Sequence, residues 1–242
     1  MNNDDFCDPE SGVCTPAPLT NSEPETVVKY ENSEIIYVGD PMCSWCWGIS
    51  PSLKKIRDQF RSNDISFRVV VGGLRPGGGD PWNDQMKDFL KHHWQEVTAR
   101  SGQEFGYQLF ERDTFNYDTE PPCRATVAAR PLLGKRELEF FTAIKYKFYV
   151  ESEDPGTEEF YMSICEEFEI DFQKFLERFR SEEVRKETHD EFLLNRNWGV
   201  RGYPTVILRK DEKLYSVSNG FATFDQMKHQ IEHILAKESV VS

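Results

Sequence analysis

The chain has 242 residues, with 42 acidic side chains against 29 basic ones and a formal net charge of −13 at pH 7. That balance repels nucleic acid and anionic membrane surfaces, so neither is an expected partner. No run approaches the roughly 18 apolar residues that a membrane-spanning helix needs. Eighteen Phe, 9 Tyr and 5 Trp supply bulk enough for a sizeable core despite modest overall hydrophobicity.

Residues 1–33 are acidic, carrying −6 of the net charge, and are rich in Pro, Ser, Thr and Asn. They read as an extended tail. The opening Met1-Asn2-Asn3-Asp4-Asp5 has neither the basic start nor the apolar stretch of a signal peptide, so a cytoplasmic location is expected. Six cysteines in such a chain are redox, metal-binding or buried residues rather than a disulfide scaffold. Two of them, Cys7 and Cys14, lie in the tail, where Pro9 and Gly12 allow the segment to fold back on itself. Idle exposed thiols, a second redox pair and a metal clip are the three readings. The clip is the weakest, because zinc wants four ligands and the tail has no third Cys or His; no metal site is expected.

Ile35 to Val38 form an apolar run that reads as a buried strand, followed by Asp40-Pro41-Met42-Cys43-Ser44-Trp45-Cys46-Trp47-Gly48. Cys46, Ile49, Leu53, Ile56 and Phe60 then fall on one helical face, with a kink expected at Pro51. Ile65 to Val71 is a second strand, so two thiols three residues apart sit at the strand-to-helix turn of a βαβ unit. A thiol at the first turn of a helix meets free N–H groups and the positive end of the dipole, which favours the thiolate. Cys43 is thus the expected attacking thiolate at the exposed end of the helix. Cys46, one turn in, is the expected resolving thiol.

The stretch Gly72 to Gly79 lacks the Gly-Lys-Ser/Thr of a phosphate loop and reads as a flexible exit from the sheet, placing Arg75 near the thiols. Residues 79–195 read as a helical insertion. Cys165 shares an apolar face with Tyr161, Ile164 and Phe168, so it is expected to be a buried core residue. Cys123 follows Pro121-Pro122 at a helix start, where a structural thiol and a substrate-pocket thiol are both open readings. From Trp198 the pattern turns to strand: Tyr203-Pro204-Thr205 leads a run to Arg209, then Lys210 to Lys213 turns into a second strand ending near Val217. Thr223 and Gln226 make a capping box for a last helix that buries Phe224, Met227, Ile231, Ile234 and Leu235. His229 and His233, one turn apart on it, read as a solvated face.

The order of these pieces resembles the thioredoxin fold in its DsbA-like form, and in particular the FrnE-like branch of DsbA-type disulfide oxidoreductases. The residues that carry the resemblance are the stretch Asp40 to Gly48, Gly73-Leu74-Arg75, Pro122-Cys123-Arg124-Ala125 and Gly199 to Thr205, spread over about residues 34–237. The resemblance implies an α/β thioredoxin-like domain made of residues 34–78 plus 196–242, interrupted by the insertion at 79–195. It implies thiol–disulfide exchange at Cys43 and Cys46, with Tyr203-Pro204 as a cis pair facing them and Trp45, Tyr203 and Pro204 contacting substrate.

Two departures bear on the chemistry. Ser44-Trp45 replaces the Pro-His of DsbA, and the buried acid usually found six residues before the first cysteine is here Tyr37. Asp40 is then the nearest carboxylate and the candidate proton shuttle. A weaker oxidant than DsbA is expected, between about −270 and −120 mV and nearer the lower value. A reductase or isomerase acting on protein or small-molecule disulfides is therefore expected, with no bound cofactor and with glutathione or a thioredoxin system as candidate electron donor. A glutathione-dependent kappa-class-like transferase and a non-enzymatic binding module or holdase are the alternatives.

Overall fold

The computed structural model describes residues 33–61 and 65–237, together with the strand segments Cys7–Asp8 (β1) and Val13–Cys14 (β2). β1 and β2 pair antiparallel with Cys7 opposite Cys14. The rest of the tail, and the parts assigned to the Cys7 and Cys14 thiols, lie outside the described residues.

The main sheet has four strands: Glu34–Gly39 (β3), Ser66–Val71 (β4), Thr205–Lys210 (β5) and Lys213–Asn219 (β6), in the order β4-β3-β5-β6. β3 and β4 run parallel, as the βαβ reading requires, whereas β5 pairs antiparallel with both β3 and β6. Every residue of β3 is buried, so this central strand reads as a continuous apolar run rather than an alternation. At its head Glu34 meets Arg209 of β5, Nη2 to Oε2 at 3.0 Å. Asp211 and Glu212 both take positive φ in the β5–β6 turn, the geometry a two-residue hairpin needs.

The helix after the thiols is broken where Pro51 demanded it. Ser44–Gly48 (α1) ends at Ile49, and Ser50–Arg61 (α2) restarts with Pro51 in its first turn, where a missing N–H costs nothing. Cys46, Ile49, Leu53, Ile56 and Phe60 are all buried. The insertion supplies Asp84–Ser101 (α3), Glu120–Leu133 (α4), Glu137–Tyr149 (α5), Met162–Glu167 (α6), Phe172–Arg180 (α7) and Glu182–Asn197 (α8). Phe224–Lys237 (α9) closes the fold, packed on α2 and β6. Its capping box is formed: Thr223 N–H donates to Gln226 Oε1 at 2.9 Å and Gln226 N–H to Thr223 Oγ1 at 3.3 Å. His229 and His233 are exposed on α9, and Cys165 is buried. No helix among the described residues is long and apolar enough to cross a membrane.

The insertion also solves the edge problem of β4. An edge strand leaves a row of backbone donors and acceptors unpaired. Here Glu191 Oε2 accepts from Val71 N–H at 2.9 Å, Arg130 Nη2 donates to the Val69 carbonyl at 3.2 Å, and Asn195 Nδ2 donates to the Val71 carbonyl at 3.1 Å. Arg130 also pairs with Glu191 at 2.8 Å and Glu137 at 2.5 Å, and Arg68 reaches Glu191 at 3.1 Å. Burial alone would push the Glu191 carboxyl up, but the two guanidiniums hold it below the usual carboxylate range.

Candidate active site

The turn after β3 sets the thiols. Asp40 folds it by two contacts: its carbonyl accepts from Cys43 N–H at 3.1 Å and its Oδ1 accepts from Met42 N–H at 2.8 Å. Cys43 thereby caps α1, and Cys46 lies one turn on, with its Sγ accepting from Asp40 N–H at 3.5 Å. Both are free thiols. The Tyr203–Pro204 bond is cis, and Cys43 Sγ donates to the Tyr203 carbonyl at 3.6 Å, 160 residues away in sequence. Tyr203 is held by its hydroxyl, which donates to the Gly72 carbonyl at 2.5 Å, with Asn195 Oδ1 3.3 Å away. Gly72 has to be glycine here, because a Cβ would stand 2.6 Å from the Tyr203 ring.

One expectation about Cys43 is corrected. It is not at an exposed helix end; its side chain is fully buried, and α1 is only five residues long. Burial pushes its thiol well up, and the neighbouring Cys46 and the Asp40 charge push in the same direction. The few N–H groups of so short a helix do not offset the loss of water. Trp45 is also fully buried, beside Phe221 at 5.8 Å between ring centroids, with the Arg100 guanidinium 5.7 Å from its ring.

Asp40 and Cys123 meet behind the loop. Cys123, in the first turn of α4, donates its thiol to Asp40 Oδ2 at 3.5 Å, and the same oxygen accepts from Leu74 N–H at 2.7 Å. Burial raises the Asp40 carboxyl to about 6 although these hydrogen bonds, joined by the Thr119 hydroxyl, work to lower it. Burial likewise pushes the Cys123 thiol up. The glycine-rich stretch is tied down rather than loose: Arg75, Gly77 and Gly79 N–H donate to Thr119 Oγ1, Asp118 Oδ1 and Asn116 Oδ1 at 2.9, 2.7 and 2.9 Å. Arg75 is buried beside the Tyr117 ring, and Tyr117 in turn donates to the Met42 carbonyl at 2.6 Å.

Sequence reasoning missed Lys145. This lysine of α5 is fully buried beneath the thiol loop, donating to the Cys46 carbonyl at 3.0 Å and to Ser50 Oγ at 2.6 Å. Its signal was its position: it falls four residues after Phe141 and three before Phe148, on the apolar stripe of α5, where a charge is out of place.

A strand–thiol loop–helix–strand unit facing a cis-proline wall is the layout of the thioredoxin fold. The thioredoxin family model matches residues 36–227, and the chain belongs to that family. Among solved structures, a candidate protein disulfide isomerase from Nitrosomonas europaea superposes with a TM-score of 0.78 at 27% identity, covering 86% of this chain and 99% of that one. The cytosolic disulfide reductase DsbM from Pseudomonas aeruginosa superposes with a TM-score of 0.71 at 23% identity, covering 84% and 99%. DsbA1 from Neisseria meningitidis shares the fold at a TM-score of 0.56 and 16% identity, covering 92% and 96%. The architecture is therefore α/β and thioredoxin-like, with a helical insertion as in DsbA-type proteins. By sequence, the ClpXP adapter protein SpxH of Halalkalibacterium halodurans is 21% identical over 215 residues, which cover 85% of this chain and 67% of that protein. SpxH of Bacillus subtilis is 22% identical over 177 residues, covering 72% of this chain but only 57% of that protein.

Proposed function

We propose that the chain is a thiol–disulfide oxidoreductase that reduces or isomerises disulfides of protein or small-molecule substrates through Cys43 and Cys46. The observation that carries this is the 3.6 Å approach of Cys43 Sγ to the Tyr203 carbonyl beside a cis Pro204. A substrate sulfur brought against that wall meets the Cys43 sulfur, with Cys46 placed behind it on the same helix. Cys43 attacks as its thiolate, forming a mixed disulfide and releasing one substrate sulfur, which takes up a proton. Cys46 then attacks Cys43, the Cys43–substrate bond breaks, and the second substrate sulfur leaves. Two electrons pass from the thiol pair to the substrate disulfide. A cellular thiol, from glutathione or a thioredoxin system, resets the pair.

The site electrostatics support a reducing direction of flux. Burial disfavours the Cys43 thiolate, so the reduced form gains little from ionisation and the couple is a weak oxidant. Reduction or isomerisation in a reducing compartment such as the cytoplasm suits that property. Trp45 and the Tyr203–Pro204 pair are buried in this structure, so their proposed contact with substrate requires the cover over the thiols to open, and Asp40 with Cys123 is an auxiliary buried pair behind the loop. The test is mass-spectrometric thiol mapping across a glutathione redox series, combined with turnover of a model disulfide. Cys43→Ser is expected to abolish turnover and Cys46→Ser to accumulate a mixed disulfide on Cys43; full activity in Cys43→Ser refutes the assignment.

The similarity to proteins named as ClpXP adapters favours one second reading, in which the chain binds a partner protein without redox turnover. In that case Cys43→Ser/Cys46→Ser would bind the partner as tightly as the unmodified chain and the redox series would show no functional transition.

A further inference from the structure

Cys46 is buried, and it must shed a proton before its sulfur can attack. Water does not reach it freely, so the acceptor has to be built into the interior. Lys145 meets the same residue at its carbonyl. Its two hydrogen-bond partners, the Cys46 carbonyl and the Ser50 hydroxyl, are uncharged, and its amine otherwise lies over the rings of Phe141 and Tyr37, 4.7 and 5.7 Å from their centroids. The titratable groups facing it are Cys46 and Cys43 from α1 and Tyr37 from β3. An ammonium in such surroundings is costly, whereas a neutral amine carries a free lone pair. Burial accordingly brings Lys145 down to about 7, while the two sulfurs pull it upward.

The exit route lies on the other side of Lys145. Ser50 donates to the Cys46 carbonyl at 3.0 Å and also lines a cavity of about 700 Å³ between α2, α5 and α6, walled by Trp47, Pro51, Tyr146 and Phe168. That cavity is separate from the Tyr203–Pro204 wall, so a proton can leave without crossing bound substrate. Tyr37 adds a second feature. Its hydroxyl is buried without a nitrogen or oxygen partner among the described residues and lies beside Cys46, where it can donate to a sulfur that has become a thiolate.

We propose that Lys145 accepts the Cys46 proton when the mixed disulfide is resolved and passes it through Ser50 to the cavity between α2 and α5. The assignment rests on the oxidoreductase reading. The Cys46 S–H proton moves to the Lys145 amine, and the sulfur electron pair forms the bond to Cys43. The Cys43–substrate bond breaks, and the substrate sulfur departs with that pair as a thiolate. The ammonium then gives its proton to Ser50 Oγ, whose own proton moves on to water in the cavity.

With the tail thiols removed (Cys7→Ser/Cys14→Ser) in every protein compared, one molar equivalent of Ellman's reagent separates the two steps, because Cys43 attack releases the first thionitrobenzoate and Cys46 resolution the second. In the unmodified chain the second phase is expected to rise with pH through an inflection near 7. Lys145→Met is expected to slow it at least tenfold at pH 7, with the first phase within twofold, and to remove the inflection near 7. A second phase of unchanged rate and pH profile in Lys145→Met overturns the proposal while leaving the oxidoreductase reading intact. Absence of both phases in the unmodified chain sinks that reading itself. If Lys145→Met does not fold, the ¹³Cε resonance of Lys145 in the unmodified chain, assigned by its loss in Lys145→Arg, decides. It is expected to titrate near 7 in the reduced protein, and lower in the oxidised one, where the two sulfurs no longer pull it upward. Titration at the ordinary lysine value of about 10.4 in both states overturns the proposal.

Discussion

Replacing Asp40 with asparagine isolates a pH-dependent stability contribution that follows directly from the site. Asp40 is fully buried, and burial raises its carboxyl from the ordinary 3.8 to about 6. An acid raised by folding holds its proton more tightly in the native state, so between these two values the native state binds more protons than the unfolded chain. Stability from this group is therefore greatest below about pH 3.8 and is lost as pH rises to about 6. Roughly two pK units at 1.36 kcal/mol each come to about 3 kcal/mol. The carboxamide of the Asp40→Asn variant does not titrate, and its single acceptor oxygen serves only one of the two backbone donors, Met42 and Leu74, which costs about 1–3 kcal/mol. Asp40→Asn should thus be clearly destabilising near pH 4 and close to neutral or stabilising at pH 7. Urea unfolding of both proteins with thiols kept reduced, from pH 4 to 7.5, measures the difference. Two stability curves that stay parallel over that range would mean the carboxyl is not raised, and the electrostatic account of the site fails.

Three further outcomes follow from the packing. Glu191→Ala leaves Arg130 and Val71 N–H without the carboxylate they share and should cost about 3–5 kcal/mol, read from urea midpoints at constant m-value. Gly72→Ala drives a methyl to 2.6 Å from the Tyr203 ring. It should cost about 1–3 kcal/mol and raise KM for a disulfide substrate more than it lowers kcat, since Tyr203 forms the wall and not the nucleophile. Tyr203→Phe leaves the Gly72 carbonyl only its longer 3.4 Å contact with Asn195 Nδ2 and should lower stability by about 1–2 kcal/mol. It should leave turnover near the unmodified level, because the backbone carbonyl, not the hydroxyl, faces Cys43.

Local physics, written in short stretches of sequence, determined much of this protein. The apolar runs at 35–38 and 65–71 with a helical stripe between them specify the βαβ unit. Pro51 specifies where the first helix breaks, and Thr223 with Gln226 specifies where the last begins. The Cys43/Cys46 spacing at a strand-to-helix turn is likewise visible without coordinates, because it depends on neighbours only a few residues away.

What tertiary structure decided are the quantities that depend on distant groups and on the loss of water. The helix-terminus argument for Cys43 weighed a local dipole, but the folded chain buries the thiol, and desolvation reverses the direction of its shift. Asp40 and Cys123 are 83 residues apart and meet only because α4 docks behind the loop. Lys145 stands 99 residues from Cys46, so no spacing rule could pair them. The paired thiols are thus a local message, while their burial and the titratable groups placed around them are set by how the insertion closes over the sheet.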